Sequence, residues 1–116
     1  MGVDANALLT KDGLQVTDML YVLEEQPHVT GVNMTHSSIE DFVHINFKWH
    51  GEQRNMSVFF NGSCSGDYRT VYPKPAIFCS IGKWGFSDAI IVFLVEEFGG
   101  FYRLNDCTDE WSKYNA

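Results

Sequence analysis

Period-2 and helical patterns in separate stretches predict an α+β domain, an antiparallel β-sheet carrying two helices. Three observations lead there. Phe42 to Trp49 alternates strictly, with Val43, Ile45, Phe47 and Trp49 on one side and His44, Asn46 and Lys48 on the other, the pattern of a half-buried strand. Asn55 to Phe60 answers it across the turn His50-Gly51-Glu52-Gln53, with Met56, Val58 and Phe60 toward the core. Ser87 to Phe98 is almost wholly apolar and ends at Gly99-Gly100, as a capped core helix does.

In chain order, Gly2 to Thr10 reads as a short strand, with Val3, Ala5, Ala7 and Leu9 on one side, ending in the turn Lys11-Asp12-Gly13. Thr17 or Asp18 opens a helix whose apolar face is Met19, Leu20, Val22 and Leu23, with Pro27 as its stop; a start at Gly13 is the alternative. Val29 to Thr35 is a strand, and with the two strands after it forms a three-stranded antiparallel meander. Asn61 to Pro75 is a long loop, broken by Gly62 and Gly66 and extended by Pro73 and Pro75. Ala76 to Ile81 is a short strand.

The second helix takes Ser87 as N-cap and Asp88 in its first turn. Only Asp88, Glu96 and Glu97 leave a wet stripe, so burial on several sides is expected. Phe101 to Leu104 closes the chain as a last strand. The expected architecture is one domain, residues 1–116, in which the meander and short N- and C-terminal strands receive the second helix on their apolar face.

The charge is acidic, eight basic residues against fifteen acidic ones. The lysines and arginines are single and scattered, so direct nucleic-acid binding is not expected. No apolar run approaches the roughly 20 residues of a membrane span. The opening MGVDANALLTKDG has neither a basic n-region nor an apolar h-region, so the expected location is cytoplasmic.

Candidate chemistry is sparse. Gly62-Ser63-Cys64-Ser65-Gly66 has the spacing of a nucleophile elbow, but that motif needs a helix leaving it, and DYRTVYP is not helical. Cys64 is the candidate nucleophile if the chain is a hydrolase or transferase. His28, His36, His44 and His50 show no zinc spacing, and Asn105 to Glu110 lacks the glycine and ordered ligands of a calcium loop. No metal or cofactor is expected. Aromatics beside carboxylates point to a protein contact instead: Asp106, Asp109, Glu110 and Trp111, joined by Tyr68 and Tyr72.

The pattern FGG-x4-NDC-x-D, Phe98 to Asp109, follows a W-G-x-S/D helix start at Trp84 to Asp88. It resembles the ends of small uncharacterised proteins of phages and mobile elements. The resemblance implies an accessory protein, such as an inhibitor of a host defence system or an immunity-type partner, and it identifies no site residues.

The expectation is therefore a non-enzymatic acidic protein that binds a basic protein partner, a nuclease or another nucleic-acid-handling protein. The alternatives are the thiol enzyme using Cys64 and a homodimeric structural protein paired through a strand edge or an apolar helix face.

Overall fold

The computed structural model describes residues 3–61, 67–85 and 87–114. Its strands are β1 (Asp4–Leu9), β2 (Val29–His36), β3 (Phe42–Trp49), β4 (Glu52–Phe59), β5 (Ile77–Gly82), β6 (Gly100–Arg103) and β7 (Ser112–Lys113); its helices are α1 (Val16–Glu24) and α2 (Ser87–Phe98). The strands form one seven-stranded sheet in the order β2-β3-β4-β5-β1-β6-β7, every pairing antiparallel. The α+β class and the β2-β3-β4 meander stand as expected. β7 and a 3-10 turn at Asp67–Thr70, within the stretch read as not helical, have no counterpart in the sequence-based reading.

The β3–β4 connection is tighter than its composition implies. His50 and Gly51 both take positive φ, 49° and 82°, the conformation of a two-residue hairpin turn matched to strand twist. Trp49 therefore pairs directly with Glu52, and β4 starts three residues earlier than its apolar pattern does.

The N-terminal strand lies inside the sheet, between β5 and β6. Its core-facing residues Ala5 and Ala7 are fully buried. Their small side chains let α2 lie close over β1, with β5 and β6 at its flanks. Gly100 completes this approach. A Cβ there would stand 1.9 Å from the carbonyl oxygen of Leu8, so only glycine admits the β1–β6 contact. The two glycines thus divide the work: Gly99, at φ 69°, turns the chain out of α2, and Gly100 lets the next strand dock.

Both helix starts differ in detail from expectation. α1 begins at Val16 with Gln15 as its N-cap, and the Asp18 carboxylate accepts the Gln15 backbone N–H at 2.9 Å. Asp18 is thus the third helical residue of a capping box. Ser87 is buried, and its hydroxyl accepts from the Trp84 N–H at 3.1 Å and donates to the Trp84 carbonyl at 3.0 Å. It closes the turn before α2 instead of capping the helix. α2 is also more one-sided than expected. Ile90, Ile91, Leu94, Val95 and Phe98 are buried, while Ala89 is exposed with Glu96 and Glu97, and Val92 and Phe93 are half-buried.

The sheet has two dry regions on opposite faces. The main core joins Ala5, Ala7, Val43, Ile45, Phe47, Met56 and Val58 to Met19 and Leu23 of α1 and to the buried side of α2. A smaller cluster lies around Leu8, with Tyr68 and Ala76 buried and Tyr72, Phe78, Phe101 and Trp111 packed against it. The 3-10 helix Asp67–Thr70 carries Tyr68 to this place, and the ring stacks on Phe78 at 6.1 Å. The remainder of that face, over β2 to β4, carries the stacked rings of Phe42 and Phe59, 4.5 Å apart, and beyond them polar residues. There Asn46 Nδ2 donates to Asn33 Oδ1 at 3.2 Å and to Thr35 Oγ1 at 2.7 Å.

Each edge of the sheet carries a feature that discourages further pairing. On β2 the register shifts between Thr30 and Asn33, and Asn33 Nδ2 donates to the Gly31 carbonyl at 3.1 Å. On the other side β7 is two residues long and ends in Lys113.

Candidate functional site

The C-terminal segment divides into structural and exposed residues. Asp106 Oδ1 accepts the Asp4 N–H at 3.1 Å, and the Asp106 N–H donates to the Asp4 carbonyl at 2.9 Å, so this carboxylate pins the start of β1. Trp111 is half-buried. The Arg103 guanidinium lies 4.4 Å from its ring centroid, and Phe78 meets it edge-on at 6.0 Å. Arg103 Nε donates to Asn6 Oδ1 at 2.7 Å, Asn6 Nδ2 to Ser80 Oγ at 3.1 Å, and Ser80 Oγ to Asp4 Oδ2 at 3.1 Å. This chain satisfies the buried Asn6 amide and ties the three strands β1, β5 and β6 together.

Of the expected contact residues, burial overturns Tyr68, while Asp106, Tyr72 and Trp111 are half-buried and engaged in part within the fold. Tyr68 is 0% exposed and offers a partner nothing. Trp111 and Tyr72 cover the cluster around Leu8, because Leu8, Phe78 and Phe101 project from the face opposite the helices and need a lid of their own. Asp109 and Glu110 do stand in solvent.

A second acidic surface lies on α1. Tyr21 is 68% exposed, and with Ile39 at 61% it makes up the exposed large hydrophobics among the described residues. Asp18, Glu24 and Glu25 share its side of the helix and are all exposed, and α1 has no basic residue in its last turn. The signal is legible in the sequence. Asp18, Tyr21, Glu24 and Glu25 recur at helical spacing opposite Met19 and Leu23. Because α1 packs on β2, at the far end of the strand order from β7, this stripe and the Asp109–Glu110 pair are separate surfaces.

No known family, curated protein or solved structure matches this chain.

The described thiols are poorly suited to nucleophilic work. Burial pushes the Cys79 thiol far above its ordinary range. The Asp106 carboxylate, hydrogen-bonded to the exposed Cys107, raises that thiol as well, since a neighbouring anion disfavours a thiolate. Cys64 lies outside the described residues. No group of three or more histidine, cysteine or acidic residues suited to a metal occurs among the described residues, and none of their helices is long and apolar enough to cross a membrane.

The histidines separate by position. His28 and His50 stack at 4.0 Å beside Trp49, which reaches Trp84 at 5.8 Å. Arg54 lies 4.6 Å from the Trp84 ring centroid and pairs with Glu52 at 2.6 Å. His44 sits on the polar face against Phe42 at 4.8 Å. His36 lines a cleft of about 320 Å3 where the ends of β1, β2 and β3 meet the start of α1.

Proposed function

We propose that this chain acts by stoichiometric contact with a basic protein, through the outer face of α1 with Tyr21 as anchor. The observation that carries the reading is a two-thirds-exposed aromatic ring set among Asp18, Glu24 and Glu25. A tyrosine supplies large contact area with a polar tip at little entropic cost. The surrounding carboxylates steer a basic surface toward it and turn acidic ones away. The cations support the same reading, since several are engaged within the chain: Lys83 with Asp88, Arg54 with Glu52, Arg103 with Asn6 and Trp111. They make poor phosphate ligands where they stand.

A partner that handles nucleic acid fits this charge, because its own binding surface must be basic to hold phosphate. An inhibitor of such a host protein is the form implied by the resemblance of the C-terminal stretch to phage and mobile-element proteins.

The test is a quantitative capture from host lysate at two salt concentrations, followed by titration of the purified partner. A basic protein held at low salt and released at high salt is expected. Tyr21→Ala should weaken it roughly tenfold or more, and Glu24→Lys with Glu25→Lys should do so by slowing association. If Tyr21→Ala binds the partner as tightly as the parent chain, the reading is wrong.

A further inference from the structure

The cleft at the strand ends is apolar inside and has carboxylates about it. Its volume of about 320 Å3 falls at the small end of ligand cavities, which span about 300 to 1,000 Å3. Leu9, Met34, Val43, Phe60 and Ile77 supply the apolar lining, and Val16 at the start of α1 forms part of the wall. One carboxylate lines the cleft, and two more are hydrogen-bonded to its lining residues. Asp12 lines it directly. Asp18 accepts the backbone N–H of the lining residue Gln15 at 2.9 Å. Asp41 accepts from Nδ2 of the lining residue Asn61 at 2.9 Å. The lining lysine, Lys11, holds its ammonium 5.8 Å from the ring centroid of Phe98 on α2, so a cation–π contact directs its charge toward that helix.

We infer that this cleft seats one apolar side chain of a basic peptide segment, flanked in the partner by lysine or arginine. The apolar lining favours a hydrocarbon or aromatic group through its burial. Asp12 in the lining, with Asp18 and Asp41 bonded to the lining residues Gln15 and Asn61, favours cations beside that group and disfavours an anionic ligand. A neutral apolar molecule would use the lining and gain nothing from the carboxylates. The cleft adjoins the first turn of α1, whose outer stripe begins at Asp18, so a segment lying along α1 continues into the cleft. The inference rests on the protein-binding reading above, and it adds which segment chemistry the partner presents.

The experiment is an NMR titration of the full chain with three probes: acetyl-Lys-Lys-Phe-Lys-Lys-amide, its glycine-centred analogue, and acetyl-Glu-Glu-Phe-Glu-Glu-amide. The phenylalanine peptide should shift the amides of Leu9, Val43 and Ile77 saturably. The glycine analogue should bind roughly tenfold more weakly, for loss of one buried apolar group, and the glutamate peptide should not saturate. Thr17→Arg, at an exposed position of the lining, and Asp12→Lys should each weaken the phenylalanine peptide severalfold with the remaining spectrum unchanged.

Equal binding of the phenylalanine and glycine peptides overturns the inference, because charge alone then suffices. So does saturable binding of the glutamate peptide, or a pattern of shifts away from the cleft. Free indole binding as tightly as the phenylalanine peptide overturns it in favour of a small-molecule pocket. Tyr21 lies outside the cleft lining, so failure of the Tyr21→Ala test and failure of these peptides are separate results.

Discussion

Replacing Trp111 by alanine should destabilise the domain and leave the intrinsic partner contact intact. The indole lies between the Arg103 guanidinium, 4.4 Å from the ring centroid, and the Phe78 ring, 6.0 Å away. Truncating a fully buried tryptophan costs about 3–5 kcal/mol, and half-burial reduces that to about 2. Losing the aromatic pair and the cation–π contact adds about 1 kcal/mol. Against this, Trp111 Nε1 is shut off from solvent with no acceptor among the described residues, and removing a donor in that state returns about 1 kcal/mol. The net is about 2 kcal/mol, or roughly 8 °C in Tm at about 4 °C per kcal/mol for a chain of this size. Thermal unfolding followed by circular dichroism measures it. Trp111→Phe should recover most of the loss, because a ring remains for Arg103 and Phe78. A Tm within about 2 °C of the parent would refute the structural role, and a fall in partner affinity alongside it would restore Trp111 to the contact surface.

The same melts separate the other positions. Tyr21→Ala should change stability by less than about 0.5 kcal/mol, as exposed substitutions do, and so serves as the binding-only variant. Gly100→Ala should cost more than about 4 kcal/mol or prevent folding, because its Cβ would stand 1.9 Å from the Leu8 oxygen; near-parental stability would mean that β6 docks elsewhere. Gly99→Ala should cost only about 1–2 kcal/mol, the penalty of a positive φ in open space. In alkylation followed by peptide mapping, Cys107 should react slowly for an exposed thiol, since the Asp106 carboxylate raises its pKa and leaves less thiolate at any given pH. Asp106→Asn removes that anion, lowers the pKa and should speed the reaction severalfold at pH 8. An unchanged rate would show that Asp106 does not control this thiol. Cys79 should stay unmodified until the chain unfolds, for burial holds it as the neutral thiol.

The elements themselves were legible because their signals are short-range. Strict alternation over β3 needs only eight consecutive residues, and the His50-Gly51 turn lies beside it, so the meander follows from one stretch of chain. α2 was equally plain between Ser87 and Gly99. Boundaries were less so. Gln15 takes the N-cap of α1 through a reciprocal bond with Asp18, and Ser87 turns back to Trp84, choices made by side-chain geometry within a few residues.

The contact surface was legible only in part. Asp109 and Glu110 are exposed as their composition implies. Tyr21 follows from helical spacing once α1 is drawn with Met19 and Leu23 inward. The fates of Tyr68, Tyr72 and Trp111 do not follow from local pattern, since a loop or terminal aromatic reads the same whether it meets solvent or a second apolar face.

By itself, then, the sequence determined the α+β class, the meander, the apolar helix and the acidic balance, all properties summed or repeated within a short window. Only the tertiary structure decided that β1 lies between β5 and β6, and from that single placement the rest follows. Leu8, Phe78 and Phe101 become cross-strand neighbours, far apart in the chain and adjacent in space. Together they make an apolar patch that no one segment contains. Tyr68, Tyr72 and Trp111 cover it, and among the described residues Tyr21 is the exposed tyrosine.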